Sequence, residues 1–426
     1  MNIPAAIANR ERLWQKIVIT AAIAVLLGCA ARAILKPDDG DFKLHRETGR
    51  RFLAGEFLYT GGHDFPYPPF FGMVFAPTAL LPLPIAKAVF YPLGIAALLF
   101  LLWTQRRLVQ PAFNLNETQM FWAAALAVFL ALKSIIRDQV DLGVNTGIIA
   151  LVWLGIYLWR QGRDFRGSLS LGLAIAIKCT PAIFWGYFIW KRQWRMALCT
   201  AVAALFFTAL PMAWQGPASW THHMSFWAGN VIDGISGRGF ETAENFRVRN
   251  MALRPSMMPY LTQVPEVEAS RTSAPLPPHF LNLPPVVASW IVTSILFALL
   301  AVFLWWSRGA AVTRGGPGVL WEVAAAGILG LLVSPVTWLQ HCVALVPACY
   351  LIAALVMGRH PLPHWIIALL SLFVVFCSLS APDLLGRKLW LLIVTHHIPT
   401  FCIVGLFIVV LAGPRESPEL TAHEEN

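Results

Sequence analysis

Three carboxylates, Asp38, Asp39 and Asp41, open a polar and aromatic stretch that stands between two long apolar segments. The stretch, residues 38–69, reads DDGDFKLHRETGRRFLAGEFLYTGGHDFPYPP. Acidic side chains in this setting have two uses. One can cap a helix by accepting from the free amides of its first turn, and a cap needs a single carboxylate. Another can serve as a general base, since partial desolvation at a membrane surface raises a carboxylate pKa toward the working pH. Spacing alone does not say which of the three does which.

The other chemically capable side chains also lie in short runs between apolar segments. Asp138 and Asp141 fall in Arg137-Asp138-Gln139-Val140-Asp141, with Asn145 just beyond, and Lys178 opens Lys178-Cys179-Thr180-Pro181. Lys178 reads either as a side chain snorkelling to the interface or as a cation for a lipid phosphate. Arg249, Asn250 and Arg254 belong to Arg247-Val248-Arg249-Asn250-Met251-Ala252-Leu253-Arg254. That cluster suits phosphate and sugar oxygens, or makes a solvated basic surface. Ser334-Pro335-Val336-Thr337-Trp338-Leu339-Gln340-His341 reads as a Pro-containing turn with an interfacial Trp, or as a second set of site residues. His222-His223 and His396-His397 lack a third ligand at metal spacing and read as interfacial residues.

The elements that must position these residues are membrane helices. The chain is 57% hydrophobic and 13% charged, with 18 Trp and 27 Phe, against about 25% charged in soluble domains. The seven cysteines lie in or beside apolar segments without a CxxC pair, and they read as small hydrophobes. A net charge of +10 favours anionic lipid head groups and lipid phosphates. A chain this apolar makes nucleic acid a poor partner.

Residues 41–54 carry Phe42, His45, Phe52 and Leu53 at helical spacing and stop at Gly55, which predicts a short amphipathic helix on the bilayer surface. Apolar runs at 17–34, 84–103, 120–136, 148–158, 196–210, 284–306, 319–333, 342–357, 365–379 and 398–411 predict crossings. A short Pro-bounded helix is expected at 70–81, and a hairpin of two short helices at 167–190 around Lys178-Cys179-Thr180-Pro181. Counting the hairpin as two gives about twelve crossings, with Arg or Lys in every short inner loop and both termini inside. Asp41, Asn145, Lys178, the long loop at 214–283 and Ser334 to His341 then share the outer face. The whole chain, 1–426, reads as one polytopic membrane domain with a polar cytoplasmic tail at 413–426.

The residues also carry a resemblance. Asp41-Phe42, Leu53-Ala54-Gly55, Leu58-Tyr59 and the Phe65-Pro66-Tyr67-Pro68-Pro69 run, followed by Pro77 and Leu80-Leu81-Pro82, resemble the first external loop of the polyprenol-phosphate-mannose-dependent glycosyltransferases. These form family 87 of the glycosyltransferases, of the C superfamily. Ser334, Pro335, Trp338 and His341 match the family's Ser-Pro-x-Ser-Trp-x-His-His pattern, and Gln340 replaces its first histidine. Leu142-Gly143-Val144-Asn145 resembles a Gly-Gln-x-Asn segment, and Lys178-Cys179-Thr180-Pro181 a Lys-x-x-Pro hairpin tip. His45 stands where the family carries an aromatic, and Met251 and Ala252 break an Asn-Gln-Ser-Leu motif.

The resemblance implies an all-α polytopic enzyme of the glycosyltransferase C type in the bacterial cytoplasmic membrane, with its site facing outward. It implies that Asp41 is the catalytic base. Lys178, His341, Asn145, Asn250, Arg249, Arg254, Tyr67 and Gln340 are the residues carried over for the donor phosphate or sugar. The implied donor is a polyprenyl-phosphate sugar, mannose first, and the implied acceptor is a hydroxyl on a lipid or glycan. Asp39-Gly40-Asp41 fits the Asp-x-Asp pattern of metal-dependent sugar transferases, but no βαβ signature accompanies it, so a divalent metal is not favoured and no cofactor is expected. The competing class is a transporter or flippase of a lipid-linked sugar. Transporters gather ionisable groups at the membrane midplane between repeats, whereas here they gather at one surface beside a large loop.

Overall fold

The computed structural model describes residues 5–36, 41–59, 67–236, 246–270, 275–309 and 314–414. Asp38, Asp39, Phe65, Pro66 and the tail from Arg415 lie outside the described residues. Among the described residues every regular element is helical.

The first apolar run becomes α1 (Ala5–Leu35), and the polar stretch after it supplies α2 (Asp41–Ala54) and the short α3 (Pro69–Ala79). The apolar face of α2 packs inside the protein rather than on lipid, with Phe42 against Phe90 at 5.2 Å and Phe52 against α3. Gly49 permits that approach, since a Cβ there would stand 2.5 Å from the Phe75 carbonyl oxygen. The next helix, α4 (Leu83–Phe113), outruns the expected crossing and continues through Pro92. Pro inside a membrane helix is tolerated where neighbouring groups take up the freed carbonyl.

The crossing expected at 120–136 is a bent pair, α5 (Glu117–Leu130) and α6 (Leu132–Val140), at 68° to each other. Past Ala131 the sequence turns polar, and those side chains find protein partners. Ser134 donates to the Ala131 carbonyl oxygen at 2.7 Å and Lys133 to that of Ser380 at 2.5 Å. Then come α7 (Asn145–Arg160), α8 (Asp164–Ile177) and α9 (Ala182–Trp190), the last two broken at 178–181 as the sequence predicts. The chain goes on through α10 (Trp194–Ala209) and α11 (Met212–Gln215) into the 214–283 segment, which holds α12 (Pro217–Ser236), α13 (Leu253–Leu261) and α14 (Glu266–Ala269). It returns through α15 (Pro285–Trp306) and α16 (Gly318–Val333), a 3-10 stretch at Leu339–Leu345, and α17 (Val346–Met357). It ends with α18 (His364–Phe373), α19 (Pro382–Leu385), α20 (Arg387–Thr395) and α21 (Ile398–Leu411).

Among the described residues five helical stretches are long and apolar enough to cross a membrane, or seven if each of two bent pairs counts as one; α3, α16 and His364–Ser378 are apolar but shorter. The helices divide by environment. On α16 Leu320, Trp321, Val323, Ala325 and Ile328 are all wholly buried, so this helix is apolar all round and central. Truncating a side chain like Trp321 to Ala costs about 3–5 kcal/mol. By contrast α10 and α15 turn Leu205, Phe206, Trp290 and Phe297 outward, the surface that hydrocarbon would cover. A second apolar cluster gathers residues of α1 to α4 around Phe71 and Phe75, and it includes Phe42, the neighbour of Asp41 in the chain.

Candidate active site

Asp41 is the first residue of α2, and its Oδ2 accepts a hydrogen bond from Gln340 Nε2 at 3.0 Å across 299 residues of chain. Gln340 is 7% exposed and sits in the 3-10 stretch that opens Leu339–Met357. One of the residues that depart from the resembled pattern, Gln340, is therefore the one that touches the carboxylate. Burial pushes the Asp41 carboxyl above the ordinary carboxylate range, and the like charge of Asp141 pushes the same way. The Gln340 hydrogen bond, Arg137 and Lys178 pull against them.

Beside Asp41 lies a buried chain of polar contacts. The α6–α7 connection, Asp141-Leu142-Gly143-Val144, turns so tightly that Leu142 takes φ +52° and the Gly143 N–H donates to the Asp138 carbonyl oxygen at 2.7 Å. A left-handed non-glycine residue costs about 1–2 kcal/mol and persists where surrounding contacts over-determine it. The turn brings Asn145 and Thr146 back onto Asp138. Asp138 accepts from Asn145 Nδ2 at 2.8 Å, from the Thr146 N–H at 2.9 Å and from Thr146 Oγ1 at 2.6 Å. Asn145 Oδ1 in turn accepts from Lys178 Nζ at 2.8 Å. The ammonium stands 5.4 Å from the centre of the Tyr67 ring, a cation–π distance, and its charge acts on Asp41, His45 and His341. Asp141, one turn from Arg137, is paired with Arg137 at 2.5 Å and Lys36 at 3.3 Å.

His341 accepts the Trp338 N–H on Nδ1 at 3.1 Å, which leaves the proton of the neutral ring on Nε2. His45 does what an aromatic would do. It is 2% exposed, packs within 4.9 Å of the Phe71 and Phe75 rings and edge-on to Tyr67, and burial takes its pKa down to about 3. Tyr67 stacks on Phe71 at 4.1 Å, and its carbonyl oxygen accepts from Tyr59.

The long-loop residues take other partners. Asn250 is wholly buried, donating from Nδ2 to the Pro335 carbonyl oxygen at 3.0 Å and accepting on Oδ1 from the N–H groups of Thr337 at 2.9 Å and Ala252 at 3.1 Å. It stitches its loop to the segment that carries Gln340 and His341. Arg254 donates to Ser289 and, at 2.9 Å, to Thr293 on α15. Arg249 lies over the Trp390 ring of α20 at 5.8 Å. Among the described residues no three His, Cys, Asp or Glu side chains gather as a metal site. A cavity lined by Trp321, His360, Trp365 and Gly413 lies beside α17 and α21 and holds none of these residues.

Sequence reasoning placed Asp138 in a polar run without giving it a role, and did not single out Thr146. The one signal was the Gly143 between them and Asn145's neighbourhood: a Cβ at Gly143 would stand 2.0 Å from Asp138 Oδ1.

Known proteins resemble this chain over most of its length. The family model for glycosyltransferase family 87 matches residues 65–335. A polyprenol-phosphate-mannose-dependent alpha-(1-2)-phosphatidylinositol mannoside mannosyltransferase of Mycobacterium tuberculosis is 28% identical over 408 residues, covering 89% of this chain and 84% of the relative. The protein of that description from Mycolicibacterium smegmatis is 27% identical, covering 77% and 72%. A pentamannoside mannosyltransferase of the same organism is 27% identical, covering 81% and 76%. With a match over more than half of its length, this multi-helix membrane protein belongs to glycosyltransferase family 87.

Proposed function

We propose that the protein transfers mannose from a polyprenyl-phosphate carrier to a hydroxyl of a lipid- or glycan-linked acceptor, on the extracytoplasmic face of the cytoplasmic membrane. Asp41 takes the proton of the acceptor hydroxyl as its oxygen attacks the anomeric carbon. The bond from that carbon to the phosphate oxygen breaks, the configuration inverts, and polyprenyl monophosphate leaves. Lys178 pairs with the donor phosphate equally before and after the bond breaks, so its share is donor binding, and His341 stands in reach of its charge. Asn145 and Tyr67 hold Lys178 in place, and Gln340 orients Asp41.

The observation that carries this reading is the Asp41–Gln340 hydrogen bond. It joins the polar stretch after α1 to the Ser334–His341 turn, and it sets a carboxylate of raised pKa within reach of the Lys178 charge. The names of the relatives supply the donor, and they point to phosphatidylinositol mannosides as the acceptor class. We place about twelve crossings in the chain with both termini inside, which puts residues 38–69 and 214–283 on the outer side, away from cytoplasmic nucleotide sugars. The leaving phosphate is met by Lys178 and not by a divalent metal.

Purified protein in nanodiscs is expected to transfer label from polyprenyl-phosphate mannose, to do so equally with excess EDTA, and to transfer none from the nucleotide sugar alone. Efficient use of the nucleotide sugar would overturn the donor and the topology together. Loss of transfer in EDTA, restored by a divalent ion, would overturn the metal-free leaving group.

A further inference from the structure

The Asp138 carboxylate is wholly buried yet touches no group that the proposed reaction uses directly. Its surroundings are built around it. It accepts three hydrogen bonds from Asn145 and Thr146, and the Gly143 beside it leaves no room for a side chain at the oxygen facing Asn145. A buried carboxylate without a compensating charge is costly, and the nearest cation along this chain of contacts is Lys178, itself 7% exposed.

The amide of Asn145 transmits the arrangement in one direction only. An ionised carboxylate can only accept and an ammonium can only donate. Asp138 therefore fixes the Asn145 NH2 toward itself, and this turns the Asn145 carbonyl oxygen toward Lys178. Thr146, with two bonds to the other Asp138 oxygen, stops the carboxylate from rotating out of this pose. Lys178 is thereby held over Tyr67, where Asp41, His45, His341 and Cys179 are the other titratable groups that sense it.

We infer that Asp138 is a positioning residue for donor binding: acting through Asn145, it aims the Lys178 ammonium at the phosphate of the polyprenyl-phosphate sugar. This rests on the proposed function, which puts that phosphate on Lys178. Replacing the acid by its amide removes the charge and lets the Asn145 amide flip, so that an NH2 faces the ammonium. Donor binding suffers, while Asp41, which keeps its Gln340 hydrogen bond, still takes the acceptor proton.

The test is a double-mutant cycle in nanodiscs with polyprenyl-phosphate mannose as the varied donor. D138N is expected to raise the donor KM about tenfold with kcat within about threefold of wild type. K178M is expected to raise KM at least as much, and the D138N/K178M double variant no further than K178M alone. If D138N elutes as aggregate, T146V, which removes one of the three hydrogen bonds, replaces it in the cycle with an expected KM rise of about threefold. Multiplied effects in the double variant, or a fall in kcat at constant KM, would overturn the inference and leave Asp138 a structural residue. So would a raised KM in K178M beside an unchanged KM in D138N. An unchanged KM in K178M would instead overturn the placement of the phosphate on Lys178, and with it the reading on which the inference rests.

Discussion

Asp41 and Asn250 both join the polar loops to the Ser334–His341 turn, yet they do so in opposite ways. Among the described residues the Asp41 side chain hydrogen-bonds to Gln340 and keeps a carboxylate oxygen beyond that bond, in a setting that raises its pKa. Asn250 meets three backbone groups, on its own loop and on the turn, and is sealed from solvent. The first is, in the proposed reaction, the reactive group, and it is held by a light constraint. The second is a staple whose hydrogen-bonding capacity is committed to the fold, and a short polar motif in a sequence looks the same in either case.

The contrast is sharpest at Asn250 itself. Asn250→Ala leaves the Thr337 and Ala252 N–H groups without their acceptor in a buried place, and each such group costs about 1–3 kcal/mol. We expect a loss of about 2–4 kcal/mol in stability, seen as a lower melting temperature in detergent, with the donor KM of the folded fraction unchanged. A raised KM at normal melting temperature would return Asn250 to the site and erase the distinction.

Gln340→Leu probes the other side. The amide donor favours the ionised form of Asp41, so its removal raises the Asp41 pKa further. A base works only above its pKa, so kcat/KM falls as pH drops through that value, and the variant's acid limb should lie at higher pH than that of wild type. The loss at neutral pH should be about tenfold or less, equivalent to about 1.4 kcal/mol. An unmoved limb would mean that the group setting it is not Asp41.

The smallest effect is expected at Arg254. Its bonds to Ser289 and Thr293 hold α13 against α15, so Arg254→Ala should lower the melting temperature by a few degrees and leave the donor KM within about twofold. A tenfold rise in KM would make Arg254 a donor ligand and bring the long loop into the active site.

Much of the fold was legible because its signals are local. The limits of α2 follow from the polar start at Asp41 and the Gly55 stop, and Pro181 and Pro284 mark a break and a start by removing an N–H. The bend between α5 and α6 was not legible. Ala131-Leu132 contains no breaker, and hydropathy cannot tell that the polar residues after it turn into the protein. The site divides in the same way. Asp38, Asp39 and Asp41 stood out together because carboxylates beside a membrane span invite chemistry, only the family resemblance singled out Asp41, and His45 could be read as part of an apolar face. The partners of Asp138 were hidden because they meet it through a left-handed turn at Leu142, which no residue type there announces. The contacts of Asn250 and Arg254 were hidden because their partners lie far off in the chain, at Pro335, Thr337, Ser289 and Thr293.

The central claim is that Asp41 performs proton transfer and not structure. The direct measurement is the single-turnover transfer rate of Asp41→Asn in nanodiscs saturated with polyprenyl-phosphate mannose, read beside its melting temperature. The account predicts a rate lowered about 100- to 10,000-fold. It also predicts a melting temperature equal to or above that of wild type at neutral pH. A group whose folded pKa is raised contributes its stability below the unfolded pKa and loses it as pH rises, so the ionised Asp41 weakens the fold there and the amide does not. A transfer rate within tenfold of wild type, or a rate lost only together with the fold, would contradict the account.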